Sequence, residues 1–152
     1  MDLDIQKITP QVNIDTDYKD KKVAIVYAMW HPEYISRIRE ILKTKLKENG
    51  IVHIEEHEAP GSNEVPFIAS KIAKNVDGII CVGILIKGDS LHFENISYAT
   101  SSGIMFAQIM TGVPIMNIIM SCYNYDQVEE RISGDKSTLE YVVKGLLKII
   151  DY

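Results

Sequence analysis

Apolar and polar positions fall in alternating blocks along this chain. Val23 to Ala28 is a short, nearly unbroken apolar run, as in strands buried on both faces. After Pro32, which suits a first helical turn, Ile35, Ile38, Ile41, Leu42 and Leu46 recur at helical spacing. Asn49-Gly50 supplies a stop, and Ile51 to Ile54 reads as a second strand. A turn at Pro60-Gly61-Ser62-Asn63 precedes a helical stripe of Val65, Ile68, Ala69, Ile72 and Ala73. Ile79 to Ile86 is the most strand-like run. Gly88-Asp89-Ser90 opens a helix that ends at Gly112, and Val113 to Met120 forms a fourth strand. Two helical stretches follow, Asp126 to Ile132 and Thr138 to Ile150.

The predicted order is therefore β-α-β-α-β-α-β-α-α, which specifies a parallel sheet with helices on both faces. Residues 1–21 are polar and read as an N-terminal arm, and 22–152 as one domain. A length of 152 residues suits a single core. The net charge of −5, without a basic tract, argues against nucleic-acid and anionic-membrane partners. No apolar run approaches the ~18 residues of a membrane span. The acidic start, Met1-Asp2-Leu3-Asp4, lacks the apolar region of a leader, so a cytoplasmic location is expected. Cys81 and Cys122 lack metal or redox spacing; Cys81 reads as a buried thiol, and Cys122 marks a strand end.

In open parallel sheets, ligands bind beyond the carboxyl ends of the strands. That rule selects Ala28 to Pro32, Glu58 to Glu64, Lys87 to His92 and Ser121 to Tyr125. The turn from Lys87 to Ser90 joins a strand end to a helix start, where free N–H groups favour an anion or simply await a cap. His92, in the following turn, is placed to move protons or to remain a surface side chain. Trp30 can stack on a flat heterocycle or fill core space. Glu64 can accept hydrogen bonds from hydroxyls or merely complement a helix dipole. Arg131 can bind an anion or pair with surface carboxylates. His53 and His57, among glutamates, look like metal ligands but lack the helical spacing that would bring them together, so no metal site is expected.

The stretch Gly83-Ile84-Leu85-Ile86-Lys87-Gly88-Asp89-Ser90-Leu91-His92-Phe93-Glu94 resembles the signature G-x-[VL]-I-[RK]-G-x-T-x-H-F-[DE] of the lumazine synthases. Pro60-Gly61-Ser62-Asn63-Glu64-Val65-Pro66 is similar to the family's P-G-[AS]-aromatic-E-[LI]-P, and Ala28-Met29-Trp30-His31 to its [SA]-R-[FW]-N. Gly112-Val113-Pro114 and Gln127 to Arg131 match later motifs. The resemblance spans Val23 to about Leu147.

The resemblance implies a three-layer αβα sandwich on a four-stranded parallel sheet of flavodoxin-like order. It implies a transferase of riboflavin biosynthesis. That enzyme would condense 5-amino-6-ribitylaminouracil with 3,4-dihydroxy-2-butanone 4-phosphate, without a metal or redox cofactor. By position, Trp30 would stack on the pyrimidine, with Ser62 and Asn63 beside it. Glu64 would bind the ribityl chain, and the backbone of Ile84, Leu85 and Ile86 would read the uracil edge. Asp89, Ser90 and Arg131 would hold the phosphate, and His92 would be catalytic, transferring protons. Sites would lie between neighbours of a homo-oligomer, a pentamer or a pentamer-based capsid.

Asn63 and Asn117 stand where the family has ring-contacting aromatics, His31 replaces an Asn, and Ser90 a Thr. These departures motivate a second reading. In it, a non-catalytic or altered-substrate paralogue binds a lumazine- or flavin-like heterocycle, or serves as an assembly scaffold. A receiver or flavodoxin function is disfavoured. Met29-Trp30-His31 and Leu85-Ile86-Lys87 occupy the places where a receiver's acidic residues would stand, and Trp30-His31-Pro32 is not a flavodoxin phosphate loop.

Overall fold

The computed structural model describes residues 4–13 and 15–152, so Met1 to Leu3, part of the start examined for a leader, lie outside it. Strands β1 (Lys22–Ala28), β2 (His53–Ala59), β3 (Gly78–Ile86) and β4 (Ile115–Cys122) form one parallel sheet in the order β2-β1-β3-β4. Helices α1 (Ile5–Ile8), α2 (Pro32–Glu48), α3 (Val65–Ile72), α4 (His92–Thr111), α5 (Tyr125–Ser133) and α6 (Leu139–Ile149) complete the described elements, with short 3-10 turns at Ser62–Glu64 and Ala73–Asn75. This is the expected α/β sandwich with a flavodoxin-like strand order.

The two cores follow from the period of two along each strand. Val23, Ile25, Ile80, Val82, Ile84, Ile118 and Met120 face one side, against Ile35, Ile38, Leu42 and Leu46 of α2 and Leu139, Val143, Leu146 and Leu147 of α6. Val128 and Ile132 of α5 join this cluster. Ala24, Val26, Ala28, Ile79, Cys81 and Ile115 face the other side, against Val65 and Ala69 of α3 and Ile104 and Ala107 of α4. Both sheet faces are thereby covered. Among the described residues, no helix is long and apolar enough to cross a membrane.

Several details differ from the sequence reading, β4 among them, which runs Ile115–Cys122 and not Val113 to Met120. Strand β2 begins at His53 and runs through the acidic stretch to Ala59, not Ile51 to Ile54. It lies at the sheet edge, where polar side chains are tolerated and are neutralised by neighbours. Arg39 donates to Glu56 at 2.8 Å, Lys43 lies 3.4 Å from the same carboxylate, and Lys22 pairs with Glu55 at 2.6 Å. Helix α4 starts at His92, because Gly88 to Leu91 form a separate turn. Tyr18, from the polar N-terminal stretch, is buried in the core and donates its hydroxyl to the Leu147 carbonyl at 3.2 Å.

The hydrogen bond from Arg39, with the nearby Lys43 charge, holds the Glu56 carboxyl below its ordinary 4.5, against the opposing effect of burial. A depressed carboxyl contributes stability above its unfolded value and loses it as pH falls through the folded one. Glu56→Gln is expected to lower stability by about 1 kcal/mol at neutral pH. The deficit should shrink below pH 4.5. Urea midpoints at two pH values check this, and a deficit independent of pH would contradict it.

Candidate functional site

The site is set by where the strands stop pairing. Strand β1 pairs with β3 only as far as Tyr27 opposite Val82, whereas β3 continues against β4 to Ile86 opposite Cys122. Main-chain bonds from Ile79 to Pro114 and from Lys87 to Cys122 fix the parity of β3. Odd-numbered residues direct their N–H and C=O groups toward β4, and even-numbered ones toward β1. Ile84 and Ile86 therefore present main-chain donors and acceptors to the gap beyond the end of β1. The main chain of Leu85 is turned to β4. The Ile84 side chain is buried in the core, leaving its backbone to do any recognition.

Two loops border this gap. The chain leaves β1 through Met29, whose N–H donates to the Ala59 carbonyl at 3.0 Å and so ties this exit to the end of β2. Trp30 follows and is 67% exposed, large for an indole with no role in the core. The second loop, Pro60 to Glu64, lies against β3 through a close approach. A Cβ on Gly83 would come within 2.5 Å of the Ser62 hydroxyl oxygen and 2.9 Å of Ile119 Cδ1. Ser62 is accordingly buried, while Asn63 and Glu64 remain exposed. A Cβ on Gly61 would lie 3.0 Å from Glu64 Oε2 and 3.5 Å from Trp30 Nε1, so the carboxylate and the indole flank this glycine. The structure thus brings Trp30, Ser62, Asn63 and Glu64 together beside the open edge of Ile84 and Ile86.

The turn carrying Asp89, Ser90 and His92 leaves the same end of β3. All three are exposed, and the Ser90 hydroxyl accepts the His92 N–H at 3.3 Å. Lys87 forms an ion pair with Glu94 across this turn and lies over the Phe93 ring. That pair ties the strand end to the first turn of α4, a brace absent from the sequence reading. At Gly88 a Cβ would meet nothing within 4 Å, so the turn is open to an incoming group.

Asn117 and Arg131 form their hydrogen bonds with residues outside this cluster. Asn117 lies on β4, the sheet's other edge. Its Nδ2 donates to the Ser101 hydroxyl at 3.3 Å, and its Oδ1 accepts the Ile119 N–H at 2.7 Å. Gln108 caps the outward Ile115 N–H at 2.7 Å, and Gln127 the Tyr123 N–H at 2.8 Å. Three carboxamides thus close this edge, the protection exposed strands require. Arg131, in the last turn of α5, donates to the Gln127 carbonyl at 3.1 Å. It lies near Cys122, whose thiol burial pushes up while the Arg131 charge opposes the shift. On the opposite edge His57 meets Glu55 at 2.9 Å. Among the described residues, no group of three or more His, Cys, Asp or Glu is placed to hold a metal ion.

The glycines at 61 and 83 were absent from the sequence-derived candidates. For Gly83 the signal was available, since glycine inside a strand marks a close backbone approach. Gly83→Ala is expected to cost about 1–3 kcal/mol through overpacking against Ser62 and Ile119. Urea unfolding checks this, and an unchanged midpoint would show that the loop is not seated by this contact.

A family model described as 6,7-dimethyl-8-ribityllumazine synthase matches residues 20–148. Among curated relatives, the 6,7-dimethyl-8-ribityllumazine synthase of Methylobacillus flagellatus is 27% identical over 144 residues, 92% of this chain and 97% of that protein. That of Kocuria rhizophila is 28% identical over 115 residues, 76% of this chain and 74% of the relative. That of Paenarthrobacter aurescens is 31% identical over 110 residues, 72% and 68% of the two chains. With the parallel sheet and the loops at its carboxyl end, the match over most of its length shows that this chain belongs to the 6,7-dimethyl-8-ribityllumazine synthase family.

Proposed function

We propose that this protein condenses 5-amino-6-ribitylaminouracil with 3,4-dihydroxy-2-butanone 4-phosphate to give 6,7-dimethyl-8-ribityllumazine, inorganic phosphate and water. The observation that carries this reading is the convergence of Trp30, Glu64 and the unpaired main-chain edge of Ile84 and Ile86 beyond the end of β1. A pyrimidine needs a flat apolar surface and complementary in-plane donors and acceptors, and those elements supply both. Glu64 accepts hydrogen bonds from ribityl hydroxyls. The amides of the turn at Gly88 to Leu91, with Ser90, bind the phosphate at the start of α4. Asp89 borders that turn.

The chemistry follows from the groups placed there. The substrate's amine attacks the ketone carbonyl and water leaves, giving an imine. Loss of the C3 proton expels phosphate from C4 and leaves an enol, which tautomerises to a carbonyl at C3; the ring closes on that carbon and a second water departs. His92, exposed beside the turn, moves protons between nitrogen, carbon and the departing oxygens. Arg131 neutralises the phosphate. Within one chain its guanidinium bonds the Gln127 carbonyl of its own helix, and it acts in the site of a neighbouring copy.

That arrangement requires a homo-oligomer, and α4 supports one. Tyr98, Met105, Phe106, Ile109 and Met110 leave a wide apolar face of this helix exposed. A pentamer places such a face against the next subunit. The free, buried Cys81 and Cys122 fit a reducing, cytosolic setting.

Mixing the purified protein with both substrates should produce the fluorescent lumazine above the spontaneous rate, and the absence of any excess overturns the reading. Arg131→Ala should raise the Michaelis constant for the phosphate substrate about tenfold, the size of a lost charge-assisted contact. An unchanged constant would assign Arg131 to the surface alone. Ile109→Glu should reduce the assembly mass in sedimentation, whereas an unaltered mass would place the interface elsewhere.

A second reading is a binding or scaffold paralogue. It is favoured by Asn63 and by Asn117, whose amide is spent on Ser101 and Ile119. Calorimetry with ribityllumazine that shows tight binding without turnover would select it.

A further inference from the structure

His31 is the one non-glycine residue with a positive φ among the described residues, at φ 61°, ψ 55°. This left-handed conformation crowds a Cβ, and the residue before a proline is ordinarily driven to extended geometry. His31 precedes Pro32, so both constraints act against it. Glycine would adopt this φ freely, yet the chain places an imidazole here. Strain of this kind persists only where the surroundings hold it.

The surroundings are aromatic. The His31 ring meets Tyr125 edge-on, with centroids 5.6 Å apart and planes at 68°. The Tyr125 hydroxyl lies 3.4 Å from His31 Nδ1. Tyr34, one turn into α2, stacks on Tyr125 with centroids 5.6 Å apart and an interplanar angle of 13°. Tyr125 is itself well anchored as the first residue of α5. The Asn124 side chain caps that helix by accepting the Gln127 N–H at 3.0 Å, and Gln127 returns to the Tyr123 N–H at 2.8 Å. Further along, Arg37 of α2 grips Glu129 of α5 through two bonds of 2.5 and 2.9 Å.

His31 is also the joint between β1 and α2. Its carbonyl accepts the Ile35 N–H at 3.1 Å, closing the first turn of the helix. Two residues earlier, Met29 is tied to Ala59. If His31 relaxed to an extended conformation, either α2 or Trp30 would have to swing. Helix α2 is locked by Ile35, Ile38, Leu42 and Leu46, all essentially fully buried. Trp30 is 67% exposed and has no such burial in the core. The strain at His31 therefore decides the direction in which Trp30 leaves the sheet.

We propose that His31 and Tyr125 are positioning residues. Their ring contact, backed by Tyr34, holds the left-handed backbone at His31 and thereby sets Trp30 beside Gly61 and Glu64. The consequence of this contact for heterocycle affinity rests on the proposed function, but the fixing of Trp30 does not.

Trp30 is the only tryptophan, so selective 15N-tryptophan labelling of the full chain yields one backbone amide and one indole signal. In the native protein the Trp30 amide should show an order parameter of about 0.85, falling below about 0.6 in Tyr125→Ala and in His31→Gly. His31→Gly removes the ring while keeping the same φ accessible, and it carries the test if Tyr125→Ala does not fold. Tyr125→Phe keeps both ring contacts and should match the native protein. In turnover, Tyr125→Ala and His31→Gly should raise the Michaelis constant for the pyrimidine about fivefold, with that for the butanone phosphate unchanged. An unaltered Trp30 amide in His31→Gly overturns the proposal, as does loosening in Tyr125→Phe equal to that in Tyr125→Ala. Absence of turnover in the native protein would instead remove the proposed function and leave the amide result to decide this one.

Discussion

Ser62 occupies the space that a side chain on Gly83 would fill, and the candidate site depends on that contact. Because the strand presents bare backbone there, the loop after β2 can lie directly against β3. This draws Glu64 and Gly61 to the end of the sheet, where Trp30 arrives from β1. The same end of β3 outruns β1, leaving the main chain of Ile84 and Ile86 unpaired on that side. Ring surface and carboxylate thus come from two loops and the main-chain edge from β3, yet one close approach sets their mutual depth.

The rest of the molecule serves to keep these loops still. A sheet covered on both faces cannot shift register without exposing a core, so the strand ends are rigid posts. The turn after β3 is braced by the Lys87–Glu94 pair, and the exit from β1 by the aromatic contact of His31 with Tyr125. Three carboxamides cap main-chain N–H groups along the β4 edge, and α4 keeps a broad apolar face exposed.

Much of this was legible in the sequence where the signal is local. Strands β1, β3 and β4 are apolar runs because buried parallel strands must be, and α2 shows its stripe because one face is buried. Strand β2 was misplaced because its charges mask the pattern, and their compensation by Arg39, Lys43 and Lys22 comes from other elements. Trp30, Glu64 and the turn at Asp89 to His92 could be nominated because ligands gather at the carboxyl ends of parallel strands. The split between Ile84 or Ile86 and Leu85 could not, since it depends on where β1 stops pairing. Asn117 read as the replacement of a ring-contacting aromatic, and its bonds to Ser101 and Ile119 appear only once β4 is known to be an edge. The contact between His31 and Tyr125 joins residues far apart in the chain and leaves no periodic trace.

The central claim is that a flat heterocycle lies against Trp30 while the edge of Ile84 and Ile86 reads its polar rim. Titrating 6,7-dimethyl-8-ribityllumazine into the protein while recording tryptophan emission tests it directly, because Trp30 is the sole source of that signal. The account predicts saturable quenching whose midpoint agrees with the affinity measured by calorimetry. Binding that leaves the emission of Trp30 unchanged, or no binding at all, would contradict it.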